Sequence, residues 1–312
     1  MTDKQDNILI IKLSALGDFI QSLGAMAAIR KHHPAAKLHL QSTKPFEKFA
    51  KECGYFDEVI IDNRPKTLDI AGWFKLAKTL RSYNFTRVYD LQNNDRVKLY
   101  YHLFATPKPQ WIGHLPHGSH FNPAAKAKEI HAFDRNALSL DLVGIKNVEI
   151  DTLAWMQSDI TRFPLTKPYI LLVPGCAPTR PEKRWPADNY AQIATALSQQ
   201  GFQPVIIGTN DEKEATDTIA NACPSALNLT GQTNLYDIVT LARTSAGAIG
   251  NDTGPMHMIG ATGTPCLVLF SAFSNPIKHA PKGNKVAVIQ HAPLDELSVD
   301  TVLSKFTDIT SN

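Results

Sequence analysis

The sequence has no cysteine pair at metal-binding or redox spacing. Cys53, Cys176, Cys223 and Cys266 stand far apart and form no C-x-x-C unit. Neither a zinc site nor a disulfide framework is suggested, and reduced, mostly buried thiols are expected. Long apolar runs are also missing. Ile170–Val173 and Cys266–Phe270 are strand-sized, far short of the roughly 20 residues of a membrane helix. Met1–Asn7 is polar, with two Asp and one Lys, so no signal peptide is read and a cytosolic protein is expected. Neither sign of charge dominates. The 32 Lys and Arg against 29 Asp and Glu leave a net +3, too little to imply a nucleic-acid partner. Several chemical signatures are absent: no Asp-x-Asp to hold a divalent metal, no Walker loop, no Gly-x-Ser-x-Gly. The turn Ser14-Ala15-Leu16-Gly17 lacks the G-x-G-x-x-G spacing, so NAD is poorly supported. His114, His117 and His120 recur every three residues, but Gly113, Pro116 and Gly118 among them make that segment a loop and not a helix face. No metal and no cofactor is expected.

What is present is an alternation. With 312 residues, 43% of them hydrophobic, two domains are a better expectation than one. Short β-branched runs predict strands at Ile8–Leu13, Lys37–Ser42, Glu58–Asp62, Arg87–Leu91 and Gln110–Gly113. Helical spacing covers Asp18–His32, Ile70–Tyr83 and Ile130–Val143. The pattern restarts after Thr161–Pro168, where Pro164 and Pro168 break helices. Strands are then expected at Tyr169–Val173, Pro204–Ile207, Ala248–Gly250, Cys266–Leu269 and Lys285–Ile289. Helices are expected at Ala187–Gln200, Asp211–Ala222, Asn234–Ala242, Pro255–Ala261 and Val299–Phe306. Strands alternating with helices of this length imply parallel βαβ units, hence two α/β domains, 1–165 and 166–312. Open parallel sheets bind ligands at the carboxyl ends of their strands.

Four loops at such ends carry chemistry. In Lys12-Leu13-Ser14-Ala15-Leu16-Gly17-Asp18, Gly17 permits close approach of a ligand and Asp18 sits at a helix N-terminus. From the turn alone, Asp18 reads more readily as a helix cap. After Tyr169–Val173 comes a long loop, Pro174–Pro186, that gathers Thr179, Arg180, Lys183 and Arg184. Hydroxyl and cationic groups there suit a phosphate, although a solvated basic loop would look the same. Asn251-Asp252-Thr253-Gly254-Pro255-Met256-His257 opens a helix whose N-terminal amides attract anions. Thr253 and Gly254 suit a diphosphate and His257 adds a donor. An Asx turn at Asp252 and a packed His257 are the plainer readings. Glu212, in Gly208-Thr209-Asn210-Asp211-Glu212, is placed to bind ribose hydroxyls, against the alternative of helix capping by Asn210 or Asp211. Finally, Lys98, Lys108, Lys126, Lys128 and Arg135 lie in a His-containing stretch, residues 98–135, that fits an anionic acceptor, a membrane face or a merely solvated surface.

Together, Ile8–Asp18, Lys183-Arg184-Trp185-Pro186 and Asn251–His257 resemble the lipopolysaccharide heptosyltransferases, glycosyltransferase family 9, in order and approximate spacing along nearly the whole chain. The resemblance implies a GT-B fold: two facing Rossmann-like domains with a central cleft, the last helix packing back on the first domain. It implies inverting, metal-independent transfer of heptose from ADP-heptose to a lipid-linked lipopolysaccharide core acceptor. The site would lie in the cytoplasm, with peripheral contact at the inner membrane. By the same resemblance Asp18 is the general base beside an acceptor-side turn containing Ser14 and Gly17, and Lys183 supports the leaving diphosphate. Thr179 and Arg180 line the phosphate loop, Asp252, Thr253, Gly254 and His257 hold the nucleotide, and Glu212 lies near the ribose. Two departures stand out: Pro178-Thr179 leaves one hydroxyl of the phosphate loop missing, and Phe19–Gly24 replaces a more usual His and Pro. Three alternatives remain open. The first is another GT-B transferase, the second an epimerase using another nucleotide sugar, and the third a non-catalytic sugar-nucleotide or glycan-binding relative.

Overall fold

A computed structural model describes residues 6–177 and 179–311. The chain divides into two compact units, Met1–Asp151 and Thr152–Asn312. The first contains β1 (Asn7–Ile11), α1 (Leu16–His32), β2 (Lys37–Ser42), α2 (Glu47–Glu52), β3 (Glu58–Ile61), α3 (Ile70–Ser82), β4 (Arg87–Asp90), α4 (Asp95–Tyr100), β5 (Gln110–Gly113), β6 (His120–Phe121) and α5 (Ala132–Asp141). The second contains β7 (Tyr169–Val173), α6 (Ala187–Gln199), β8 (Gln203–Ile206), α7 (Lys213–Ala222), β9 (Leu227–Asn228), α8 (Leu235–Thr244), β10 (Gly247–Asn251), α9 (Gly254–Ala261), β11 (Cys266–Phe270), α10 (Pro276–His279), β12 (Val286–Gln290) and α11 (Val299–Thr310).

Each unit holds one six-stranded parallel sheet, ordered β3-β2-β1-β4-β5-β6 and β12-β11-β10-β7-β8-β9. Numbered within its own unit, the second order is the first reversed, so both are Rossmann-like. This is the α/β architecture expected of a GT-B fold. Every strand pair recorded is parallel, so the carboxyl ends of all strands lie along one edge of each sheet. Crossover direction reverses between β1 and β4 in one sheet and between β7 and β10 in the other, which leaves an open crevice at those edges.

Parallel sheets covered by helices on both faces need strands apolar on both faces. β7 shows the consequence. Ile170 and Leu172 pack on one face with Tyr190, Ile193 and Leu197 of α6 and Val302 and Phe306 of α11. Tyr169, Leu171 and Val173 face Ile238 and Leu241 of α8 and Met256 and Ile259 of α9. Each such side chain is worth about 1.5–3 kcal/mol when fully withdrawn from water. In the first unit Leu9, Ile11 and Val88 pack with Leu76 and Leu80 of α3 and Val97 and Tyr100 of α4. All four cysteines are buried thiols. Among the described residues no helix is long and apolar enough to cross a membrane.

The division falls at Asp151 and not near residue 165, and side-chain bonds explain it. Tyr55 donates to Asp151 at 2.6 Å, and Gly24 of α1 lies so close to the Glu149 carbonyl that a Cβ there would clash. Residues up to 151 are thereby laid on the first unit. Just beyond, Arg243 of α8 donates to the Met156 carbonyl at 2.6 Å. Ser158 and Arg162 both donate to the fully buried Asp237 carboxylate of α8. The prolines of Thr161–Pro168 thus lie inside the second unit. The last helix, α11, packs on α6, β11 and β12 of its own unit. Short elements at strand ends, α2, α4, α10, β6 and β9, escaped the sequence pattern because fewer than two helical turns, or two strand residues, give no period to read.

Candidate active site

At the edge of the first sheet, β1 runs into the turn 12–15 and then α1. The turn is tied to three neighbouring loops. Leu13 N–H donates to Gln92 Oε1 at 2.8 Å, Ser42 Oγ to the Lys12 carbonyl at 2.6 Å, and Thr43 Oγ1 to the Leu13 carbonyl at 2.9 Å. Arg64 Nη2 donates both to Ser14 Oγ at 2.6 Å and to the Leu13 carbonyl at 3.1 Å. Ser14 is therefore fixed by a cation from the loop after β3. Ala15 is the N-cap of α1 and supplies no side-chain bond, so Asp18 is not the cap. Asp18 is the half-buried third residue of the helix, one position after Gly17. A carboxylate in the first turn is stabilised by the helix dipole.

Two cations feel the Asp18 charge. Lys12 is buried; its ammonium donates to the Leu91 carbonyl at 3.1 Å. Burial lowers its pKa against the opposing pull of Asp18 and Asp90. Arg135 of α5, half-buried, donates to the Ala125 carbonyl at 3.2 Å, and burial lowers its pKa while Asp18 opposes. Asp90, at the end of β4, is 1% exposed. Its Oδ1 accepts from the backbone of Gln92 and Asn93 at 3.0 and 2.7 Å, and its Oδ2 has no hydrogen-bond partner among the described residues. Burial pushes its pKa up to about 6, only partly offset by those two amides and by Lys12.

The edge of the second sheet brings the two remaining motifs together. β10 pairs with β7 up to Gly250↔Val173, which sets the Asn251-Asp252 turn beside the loop that begins at Pro174. Asn251, fully buried, fastens one to the other. Its Oδ1 accepts from Trp185 N–H at 3.2 Å and Tyr190 OH at 3.0 Å, and its Nδ2 donates to the Pro174 carbonyl at 2.6 Å. Trp185, 1% exposed, anchors the loop in the core. With its backbone so held, Lys183 reaches Asp252 Oδ2 at 2.7 Å and Ser274 Oγ at 3.1 Å, and Ser274 Oγ also donates to Asp252. The pair is partly exposed, at 17% and 9% of the side chains.

Of the other residues singled out, Arg180 pairs with Glu182 and donates to the Phe273 carbonyl at 3.2 Å. Thr179 is exposed; its neighbour Pro178 lies outside the described residues, as do Met1–Gln5. Thr253 is the N-cap of α9 without a side-chain bond, Gly254 is the first helical residue, and His257 is buried. The first amides of α9 thus point beyond the helix with no side-chain cap to take them. Glu212 caps the turn that precedes α7, its Oε2 accepting from Thr209 N–H at 2.7 Å and Thr209 Oγ1 at 2.5 Å. The cap residue is therefore Thr209 and not Asn210 or Asp211. Glu212 also lies flat against Gly175, where a Cβ would stand 2.7 Å from its carboxyl carbon.

Sequence reasoning missed Ser274, Asn251's fastening role, Gln92, Arg64 and the burial of Lys12 and Asp90. Two signals were available: the pair Ser274-Asn275 a few residues after an apolar strand, and a lysine and an aspartate at strand ends. Of the basic stretch 98–135, Lys98 and Lys126 both pair with Asp95, and Lys108 donates to the carbonyls of Tyr101 and Phe104.

Comparison with known proteins agrees with this fold. Residues 73–300 match Glycosyltransferase family 9 (heptosyltransferase). Lipopolysaccharide heptosyltransferase 2 of Escherichia coli K12 is 26% identical over 91% of this chain and 87% of its own length. Among solved structures, the glycosyl transferase family 9 protein of Veillonella parvula superposes with a TM-score of 0.83 at 19% identity, covering 100% of this chain and 99% of the other. E. coli heptosyltransferase WaaC with ADP-2-deoxy-2-fluoro heptose superposes with a TM-score of 0.75 at 18% identity, covering 97% and 99%. The family match spans most of the chain and takes in Lys183 and Asp252, and the structure holds two Rossmann-like sheets: this chain belongs to glycosyltransferase family 9, the heptosyltransferases.

Proposed function

We propose that this glycosyltransferase moves heptose from ADP-heptose to a lipopolysaccharide core acceptor by one inverting displacement that needs no metal. The observation that carries the proposal is the Lys183–Asp252–Ser274 cluster beside the uncapped start of α9. An ammonium has three donors. Asp252 and Ser274 use two, and the third is left for a phosphate oxygen. With the amides of Thr253 and Gly254, it stabilises the charge that gathers on the departing diphosphate. A lysine and helix amides here do what a divalent cation does in metal-dependent transferases. Asp252 acts through Lys183, by holding it, and Thr179, Arg180, His257 and Glu212 surround the nucleotide. The relative crystallised with an ADP-heptose analogue supports ADP-heptose as donor.

In the first unit Asp18 takes the proton of an acceptor hydroxyl. That oxygen forms its bond to the anomeric carbon as the bond to the diphosphate breaks on the opposite face, and ADP leaves with the electron pair. A base so placed contributes roughly 10²–10⁴-fold. Ser14, held by Arg64, and Gly17 shape the acceptor side. We place the protein in the cytoplasm, in peripheral contact with the membrane that carries its acceptor.

Thermal-shift titration with ADP, UDP, GDP and NAD, with and without EDTA, tests the donor side, because a ligand of the native state raises Tm by mass action. Stabilisation by ADP alone, indifferent to EDTA, is expected; a UDP or GDP preference overturns the donor. Asp18→Ala should keep ADP affinity while turnover falls by about 10²–10⁴. Unchanged turnover removes Asp18 from the role.

A further inference from the structure

Leu68, Ile70 and Phe74 are 91%, 82% and 71% exposed, the three most exposed large apolar side chains among the described residues, and they fall within seven positions. Helix α3 buries Leu76, Ala77 and Leu80 on its core face. Ile70 and Phe74, four residues apart, share a stripe along its flank. Leu68 extends that stripe just before Asp69, which caps the helix by accepting from Gly72 N–H at 2.8 Å. A stripe of this kind is not needed for packing, and it is not solvated by its own neighbours.

The charge around it is mostly positive. Between residues 64 and 81 stand Arg64, Lys66, Lys75, Lys78 and Arg81, and one acid, Asp69, whose carboxylate is spent on the cap. Lys66, Lys75 and Lys78 are exposed and form no ion pair among the described residues. The basic stretch 98–135, by contrast, has Lys98 and Lys126 sharing the one carboxylate of Asp95. A soluble protein partner or a second copy of this chain would bring its own mixture of charges. An apolar stripe flanked by five cations and one acid matches an anionic lipid surface, with side chains entering the acyl boundary and ammonium groups left at the headgroups.

We propose that the α3 flank, Leu68, Ile70 and Phe74 with Lys66, Lys75 and Lys78, docks this protein on an anionic membrane. The surface begins two residues after Arg64, whose guanidinium holds Ser14, so docking presents the turn before Asp18 to a lipid-linked acceptor. This deepens the reading above and takes from it only that the acceptor is lipid-linked. Each lysine near an anionic leaflet is worth roughly fivefold in partition, and each inserted apolar side chain about tenfold or more.

The test is co-sedimentation of the full chain with vesicles of phosphatidylglycerol and phosphatidylethanolamine, against phosphatidylcholine vesicles, without any sugar nucleotide. Wild type should bind the anionic vesicles and release as salt rises. L68S/I70S/F74S should lose binding by about a hundredfold or more, and K66E/K75E/K78E by a comparable factor. Circular dichroism checks the fold, and both variants should transfer heptose to a de-acylated, water-soluble acceptor as wild type does. Wild type that ignores anionic vesicles, or variants that bind them undiminished, overturn the docking surface even if transfer proceeds. Vesicle binding without transfer leaves docking standing and removes the transferase reading. A concentration-dependent dimer abolished by L68S/I70S/F74S, with no vesicle binding, assigns the stripe to self-association and also overturns the proposal.

Discussion

The two units share a strand order yet hold their charges in opposite ways. In the first, the cation at the crevice edge, Lys12, is 6% exposed and bonded to a backbone carbonyl. Its acid neighbour Asp90 is buried with one oxygen unpartnered among the described residues, and Asp18 alone of the three is half-exposed at a helix start. In the second, Lys183 sits on a loop with its carboxylate partner in direct contact, 2.7 Å away, both partly open to water. Topology decides where an open parallel sheet binds. It does not decide which groups there are structural and which can react, because that depends on how far each loop lifts its side chains from the sheet.

The sharpest test of this contrast is Lys183→Ala. If the second unit's lysine is chemical, turnover should fall by about 10²–10³, as when a single transition-state donor is removed, with the fold kept by circular dichroism. Wild-type turnover in that variant would erase the distinction from Lys12.

Next in size is Asp90→Asn, read by urea unfolding across pH. Burial raises the Asp90 pKa from 3.8 to about 6, so the folded state keeps the proton that the unfolded chain releases first. The contribution of Asp90 to stability is fully present below about pH 4 and is lost as pH rises to about 6. Asparagine still accepts from Gln92 and Asn93 and has no such loss. The stability difference should therefore move in favour of Asp90→Asn by up to about 3 kcal/mol between those limits. A pH-independent difference would show that Asp90 is not held as a buried acid.

The smallest expected effect is that of Asn251→Ala, which sharpens the picture of the second edge as two loops fastened together. Three hydrogen bonds are lost, each worth about 1 kcal/mol. With some recovery by entering water, denaturant unfolding should show a loss of about 2 kcal/mol, accompanied by weaker ADP binding as the Lys183 loop loosens. Unaltered ADP affinity at reduced stability would mean that the loop is held by Trp185 alone.

Most of the architecture was legible along the chain. Apolar strand-sized runs at regular intervals, such as Ile8–Ile11, Tyr169–Val173 and Cys266–Phe270, allow little but buried parallel strands, and the helices between them follow from the period of their apolar residues. The motifs fall in loops at strand ends for the same reason: polar residues just after such a strand lie at its carboxyl end. The unit boundary was not legible, since Pro164 and Pro168 mark a break in the helix pattern but not the side on which residues 152–163 are laid. That side is set by Ser158 and Arg162 reaching Asp237, some 75 residues away.

By itself, then, the sequence determined two α/β units and the polar loops at the ends of their strands, because hydrophobic period and strand-end position are local properties. Only tertiary structure decided the partners. It gave Asp252 to Lys183 and Ser274, Glu212 to Thr209, Ser14 to Arg64, and Asp18 the company of Lys12 and Arg135. A side chain's charge state and bonds are set by whatever the fold brings within a few ångströms, and parallel crossovers bring together residues that the chain keeps far apart.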